Sequence, residues 1–376
     1  MKNLNLNQLT DFLGISDLYV SVMLSFIISF LLTFITIPKI IRVSYRKQLM
    51  DIPGSRSSHI RKVPRLGGVA IYFAILVVTS IFCSEMLFET TYFVAALVFL
   101  FFIGLMDDLL IVAPRKKLIT QLISAAMIVI GANVRIESFF GLFGIYELPY
   151  LISVAVSIFT IIVIINSYNL IDGIDGLASG VGILISLSFV FIFFRLFDYS
   201  MGYLAIAIMA SLLAFLYFNL SNHYKIFMGD TGSMVVGYLI AFMAIKFLNL
   251  SSMSWVMIKS GPVVAIAILI VPLVDTLSVF IIRILQGKSP FTADQNHIHH
   301  RLIRLGFTHV QTTLLICAAN ALIIGFAYSI RNLNLNLMFI LVVLVALSLS
   351  FLPLLIGERL KKKKALKKAV ADFSEK

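Results

Sequence analysis

Charge is scarce in this chain. Only 13% of its 376 residues are Asp, Glu, Lys or Arg, about half the fraction that keeps an ordinary soluble domain dispersed. A water-soluble globular protein is therefore excluded. Cysteine is almost missing: Cys83 and Cys317 are the only two, and both fall inside apolar runs. That excludes a disulfide framework or a cysteine-built zinc site and leaves two buried free thiols. The chain also lacks repeats of 20 to 50 residues, low-complexity linkers and any soluble-domain stretch. Its polar start, Met1 to Asp17, lacks the basic lead, short apolar core and small-residue cleavage site of a signal peptide. The first apolar run is accordingly read as a retained helix.

Hydrophobic residues make up 60% of the sequence, and the mean hydropathy is +1.02. Apolar stretches of about 20 residues match the thickness of a bilayer core. Such runs lie near 18–41, 66–84, 91–106, 118–133, 150–166, 177–196, 201–219, 233–249, 259–282, 312–330 and 336–356. The expected fold is an all-α, polytopic integral membrane protein of about eleven transmembrane helices, forming a single embedded domain over 1–376. Lys and Arg are retained on the cytoplasmic side. Placing the loop after the first span inside puts 24 of the 30 basic residues there. The N-terminus is then outside and the C-terminus inside the plasma (inner) membrane of a bacterial cell. This placement accounts for the net charge of +12 without nucleic acid. The basic tail, 357–376, reads as a topology anchor on anionic lipid. The longest external connection, 134–149, suits a small hairpin or an interfacial helix.

In this topology the unusual polar residues gather on the cytoplasmic side. Asp107-Asp108 ends the third span. Asn166-Ser-Tyr-Asn169-Leu-Ile-Asp172-Gly-Ile-Asp175-Gly follows the fifth. Phe227-Met-Gly-Asp230-Thr-Gly-Ser233 precedes the eighth. Asp294-Gln-Asn-His297-Ile-His299-His300-Arg301 follows the ninth. Each alone is ordinary: a helix-end pair, a turn, an N-cap, a structural histidine. Together they are not, because carboxylates at membrane depth are expensive and mark ion or substrate pathways. Carboxylates with an Asn carboxamide suit a hard cation such as magnesium, which favours oxygen ligands and substrate phosphates. Gly-rich turns at helix starts direct N–H groups at anions. Lys and Arg complete a diphosphate site, and phosphoryl transfer needs positioning and charge neutralisation above all. A site at the cytoplasmic helix ends can take a soluble donor and an acceptor arriving from the bilayer.

These motifs, in order and spacing from about Pro38 to Arg304, resemble the polyprenyl-phosphate N-acetylhexosamine-1-phosphate transferases. The Ser289-to-His300 segment is similar to the branch that uses UDP-N-acetylglucosamine or a related UDP-N-acetylhexosamine. The peptidoglycan branch, which transfers phospho-MurNAc-pentapeptide, usually carries three adjacent histidines where Ile298 interrupts them here. The resemblance implies a catalytic region over 38–304, with undecaprenyl phosphate as acceptor and magnesium, replaceable by manganese, as cofactor. It implies that Asp107 orients or activates the acceptor, with Asp108 its neighbour, and that Lys117 contacts the diphosphate. Asn169 and Asp230 would hold the metal. Asp175 and Phe227 would read uracil, with Asn166 and Asp172 in the same substrate-binding region. His297, His299, His300 and Arg301 would close on the diphosphate and sugar. Two departures stand out. The family's Asp-Arg-x-His reads Asp294-Gln295-Asn296-His297, leaving Arg301 or Arg283 to replace a phosphate contact. Its Asn-Ala-x-Asn reads Asn166-Ser167-Tyr168-Asn169. A transporter is the rival reading, disfavoured because the acids sit at one face and no inverted halves are seen. A homodimer is left open.

Overall fold

The structure is a computed structural model that describes residues 17–50, 62–83, 87–110, 112–252, 258–287 and 296–374. The helices are α1 (Asp17–Lys47), α2 (Gly67–Phe82), α3 (Leu87–Leu110), α4 (Pro114–Ala126), α5 (Tyr150–Leu170), α6 (Leu177–Arg195) and α7 (Tyr199–Asn219). They continue as α8 (Gly229–Ser252), α9 (Gly261–Ile268), α10 (Ile270–Leu285), α11 (Ile298–Arg304), α12 (His309–Ser329) and α13 (Leu335–Ser374). Among the described residues, eight helices are long and apolar enough to cross a bilayer, or nine with α9 and α10 taken as one. Two expected spans are shorter. The helix α2 has 16 residues, and α4 has 13 before a π-helical turn at Met127–Gly131.

Two sequence expectations need correction. The run 259–282 is not one straight helix: α9 and α10 meet at Leu269 with a bend of 74°. The apolar pattern hid this break because both halves are hydrophobic. The chain is also not purely helical. Strands β1 (Ser138–Leu142) and β2 (Ile145–Glu147) pair antiparallel, so the 134–149 segment forms the hairpin of its two alternatives. Gly141 and Gly144 turn it with φ of +87° and +80°, values open to glycine without steric penalty.

The interior is organised around α7 and α8, which are buried over most of their circumference, as a helix apolar on all sides must be. Lipid tails are as apolar as leucine, so helices in a membrane associate through close packing and small residues. The contact of α2 and α3 with the start of α8 follows that rule. A Cβ on Gly104 would lie 2.6 Å from Thr231 Cα, and one on Gly68 would strike the Gly232 backbone. Hydroxyls add cross-helix bonds: Ser29 Oγ donates to the Ala207 carbonyl at 2.7 Å. Cys83, at the end of α2, is buried and its thiol donates to the Ser200 carbonyl at 3.2 Å.

Candidate active site

The third helix runs to its last turn before presenting Asp107 and Asp108, and the adjacent carboxylates do different work. Both oxygens of Asp108 cap α8. Oδ1 accepts from Asp230 N at 2.8 Å, and Oδ2 accepts from Thr231 N at 3.0 Å and Thr231 Oγ1 at 2.5 Å. The anion at this glycine-rich helix start is thus the protein's own side chain. Gly229 permits it: φ is +74°, and a Cβ there would collide with Arg65 O and the Asp108 carboxylate. Asp107 instead turns to Lys117 on α4, with Oδ2 2.8 Å from Nζ. The same ammonium is bound by Asp230 Oδ2. Asn169, at the end of α5, donates to Asp230 Oδ1 at 3.1 Å and to Ser233 Oγ at 2.7 Å. Three helices thereby meet at the Lys117 ammonium, and a fourth, α5, joins them through Asp230.

The turn between α5 and α6 supplies the next wall. Asn219 Oδ1 accepts from Gly176 N at 2.6 Å while Asn219 Nδ2 donates to the Ile226 carbonyl at 2.9 Å. One buried carboxamide therefore ties this turn to the segment entering α8. Asp175 Oδ2 lies 2.6 Å from Lys225 Nζ and 2.9 Å from His309 Nδ1. Burial would push its carboxyl up, but the His309 and Lys225 hydrogen bonds and charges outweigh burial and hold it below the usual carboxylate range. Asp172 has no side-chain partner among the described residues. Burial, then the charges of Asp230, Asp108 and Asp175, drive its carboxyl well above the ordinary value. Asn166 exchanges bonds with Gln121, Nδ2 donating to Oε1 at 2.8 Å. Phe227 is held by its backbone, donating to Pro64 O at 2.8 Å and accepting from Gly67 N at 3.0 Å. The Lys225 ammonium stands 5.8 Å from its ring centre.

The histidine segment packs onto this turn. The His299 ring is buried against Gly173, where a Cβ would strike Nε2. Among the described residues neither ring nitrogen of His299 has a hydrogen-bond partner, and burial pushes its imidazole down to about 3, so it is neutral. The rings of His297 and His299 stack at 5.6 Å, and those of His299 and His300 lie 4.3 Å apart. Arg301 is buried. It donates to Asn296 O at 2.6 Å, Ser350 O at 3.1 Å and Ser278 Oγ at 3.3 Å, tying α11 to α10 and α13. Arg283 is buried too, 5.9 Å from the Phe280 ring centre. The Ser289-to-Gln295 part of the motif, Asp294 included, lies outside the described residues.

Sequence reading gave no site role to Ser233, which it saw only as the end of a motif, or to Lys225, Asn219, His309 and Asp275. Their partners are remote in the chain, and only Asp275, a carboxylate inside an apolar run, carried a signal of its own. Among the described residues no three His, Cys, Asp or Glu side chains stand as a ready cation cage. The acceptors around Lys117 are nonetheless hard carboxylate oxygens, of Asp107 and Asp230, with the Asn169 carboxamide bound to Asp230 through its NH2 group, residue types that suit magnesium or manganese.

Residues 90–248 match the family model described as Glycosyl transferase family 4. The "Probable undecaprenyl-phosphate N-acetylglucosaminyl 1-phosphate transferase" of Bacillus subtilis (strain 168) is 32% identical over 321 residues, 83% of this chain and 84% of that protein. The undecaprenyl-phosphate alpha-N-acetylglucosaminyl 1-phosphate transferase of Salmonella typhi is 30% identical, covering 79% of this chain and 80% of its own length. Its namesake from Escherichia coli (strain K12) is 28% identical over 75% and 76%.

Proposed function

The chain belongs to glycosyl transferase family 4, and from that premise we propose that it transfers N-acetylglucosamine 1-phosphate from a UDP-sugar to undecaprenyl phosphate, releasing UMP. The observation that carries this reading is the convergence of Asp107 and Asp230 on the Lys117 ammonium. It is a compact array of fixed charge at helix ends, suited to handling phosphates.

In this reading an oxygen of the acceptor phosphate attacks the β-phosphorus of the donor. A new P–O bond forms, the bond from the β-phosphorus to the bridging oxygen breaks, and UMP leaves with the electron pair. A phosphate monoester has a second pKa of about 6, so the acceptor is already ionised and no strong base is needed. Asp107 orients it. Lys117 exchanges a carboxylate for the donor diphosphate and offsets charge that grows on the leaving UMP. Asp108 takes no direct part and holds α8, and with it Asp230, in place. Asp230, Asn169 and Asp107 would hold a magnesium ion, which when bound neutralises diphosphate charge. Asp172 and Asp175 border the donor side with Phe227, and the histidine segment closes over it.

The setting is the bacterial inner membrane. In this reading there are eleven crossings, counting α2, α4 with its π turn, and the bent α9–α10 pair, with the basic loops and C-terminus inside and the site at the cytoplasmic face. The one-sided distribution of Lys and Arg supports this. Purified protein should release UMP from UDP-N-acetylglucosamine only when both magnesium and a polyprenyl phosphate are present. UDP-N-acetylgalactosamine and UDP-MurNAc-pentapeptide should be poorer donors. Release that ignores the acceptor, or substrate flux across vesicles without UMP, would defeat the reading.

A further inference from the structure

Asp275 belongs to none of the sequence motifs, yet it is 2% exposed and sits in α10, about two turns beyond the bend at Leu269. A carboxylate buried in a membrane helix is costly unless its oxygens are satisfied. Both are, and both by the start of the histidine helix. Oδ1 accepts from Ile298 N at 2.7 Å, and Oδ2 lies 2.9 Å from His297 Nδ1. The α11 helix makes no side-chain cap of its own at His297, so Asp275 caps it from a different element. A second tie runs parallel, from Arg301 Nη2 to Ser278 Oγ at 3.3 Å.

An ionised carboxylate only accepts hydrogen bonds, so the proton shared with Asp275 is carried by His297 Nδ1. Nε2 is then the ring nitrogen left for a ligand, and a second proton there makes it a donor that a phosphate oxygen can accept from. A carboxylate behind a functional imidazole sets its tautomer and its direction. The effect extends along α11, because His297 stacks on His299 and His299 packs on Gly173, between Asp172 and Asp175.

We propose that Asp275 is a positioning residue for the transfer: it seats the histidine segment against the Asp172–Asp175 turn and presents His297 Nε2 to the phosphates of the UDP-sugar. The role rests on the transferase reading given above. The 74° bend has a purpose in this account, since it sets α10 at the angle that brings Asp275 under α11.

The test is Asp275→Asn in the full-length protein in detergent, assayed for UMP release with UDP-N-acetylglucosamine, magnesium and undecaprenyl phosphate. The Asn oxygen can still cap Ile298 N, but its NH2 group faces Nδ1 and excludes the proton held there, so the ring can no longer carry both protons. The thermal midpoint should stay near wild type, kcat should fall roughly 10- to 100-fold, and the donor KM should change little. In a His297→Ala background the same substitution should add no further loss, because both act through one ring. A near-wild-type kcat, or an effect that multiplies in full with His297→Ala, overturns the role. Wild-type protein that releases no UMP overturns the transferase reading instead. If Asp275→Asn fails to fold, His297→Asn decides. It keeps a donor near the Nδ1 position and offers nothing at Nε2, so folded protein without turnover supports the role and folded active protein overturns it.

Discussion

At the residue scale, chemistry is set by which carboxylate meets which cation. Lys117 holds Asp107 and Asp230 together, so Lys117→Met should leave two facing carboxylates with no fixed positive charge. Turnover should drop on the order of 100-fold, as for loss of one electrostatic stabiliser, read as the rate of UMP release at saturating magnesium. Asp108→Ala removes the α8 cap and should cost about 1–2 kcal/mol, seen as a lower thermal midpoint, while Asp108→Asn retains an acceptor oxygen and loses less. Asp175 carries a pH signature. Its carboxyl is held below the usual range by His309 and Lys225 against the pull of burial. The stabilisation is therefore complete above the unfolded value of about 3.9 and disappears as pH falls through the lower folded value. The thermal-midpoint gap between wild type and Asp175→Asn should persist through neutral pH and close below about pH 4. A gap that widened in acid would contradict the assigned pairing.

At the element scale, backbone proximity rather than side-chain chemistry builds the site. The contact of α2 and α3 with α8 has no room for a methyl group at Gly68 or Gly104, and the colliding atoms are backbone. Gly104→Ala should therefore lower the yield of folded protein and abolish turnover, because α8 carries Asp230. Gly325 in α12 faces open space, and Gly325→Ala should leave size-exclusion profile, thermal midpoint and activity unchanged. These two substitutions are indistinguishable by composition. The apolar runs showed where helices form, since a bilayer demands about 20 apolar residues per crossing whatever lies beside them. The bend between α9 and α10 escaped that reading because hydropathy has no term for direction. Asp275 was visible only as a charge in an apolar run, and its partners, His297 and Ile298, became evident once α10 and α11 were packed.

At the scale of the whole molecule, the helix ends that carry Asp107, Asn169, Asp230 and the histidines converge in one cluster, and the hairpin of β1 and β2 belongs to a different set of loops. On the proposed orientation a single cysteine at Tyr146 should react with a membrane-impermeant maleimide added outside intact cells. One at Ser374 should react only after permeabilisation, with Cys83 and Cys317 both replaced by alanine to silence the background. Labelling of both from one side would reverse or break the proposed topology. What the sequence settled alone was the solvent and the chemistry: too little charge for water, spans of bilayer length, and acidic, amide and histidine motifs at the ends of those spans. These are local properties, carried by composition and by spacing within about ten residues. Tertiary structure decided the pairings: that Asp108 caps a helix while its neighbour Asp107 meets Lys117, that Arg301 faces inward, and that Asp275 stands behind His297. Those assignments join residues from about 10 to more than 100 positions apart, and such contacts are specified by three-dimensional packing, which no local pattern encodes.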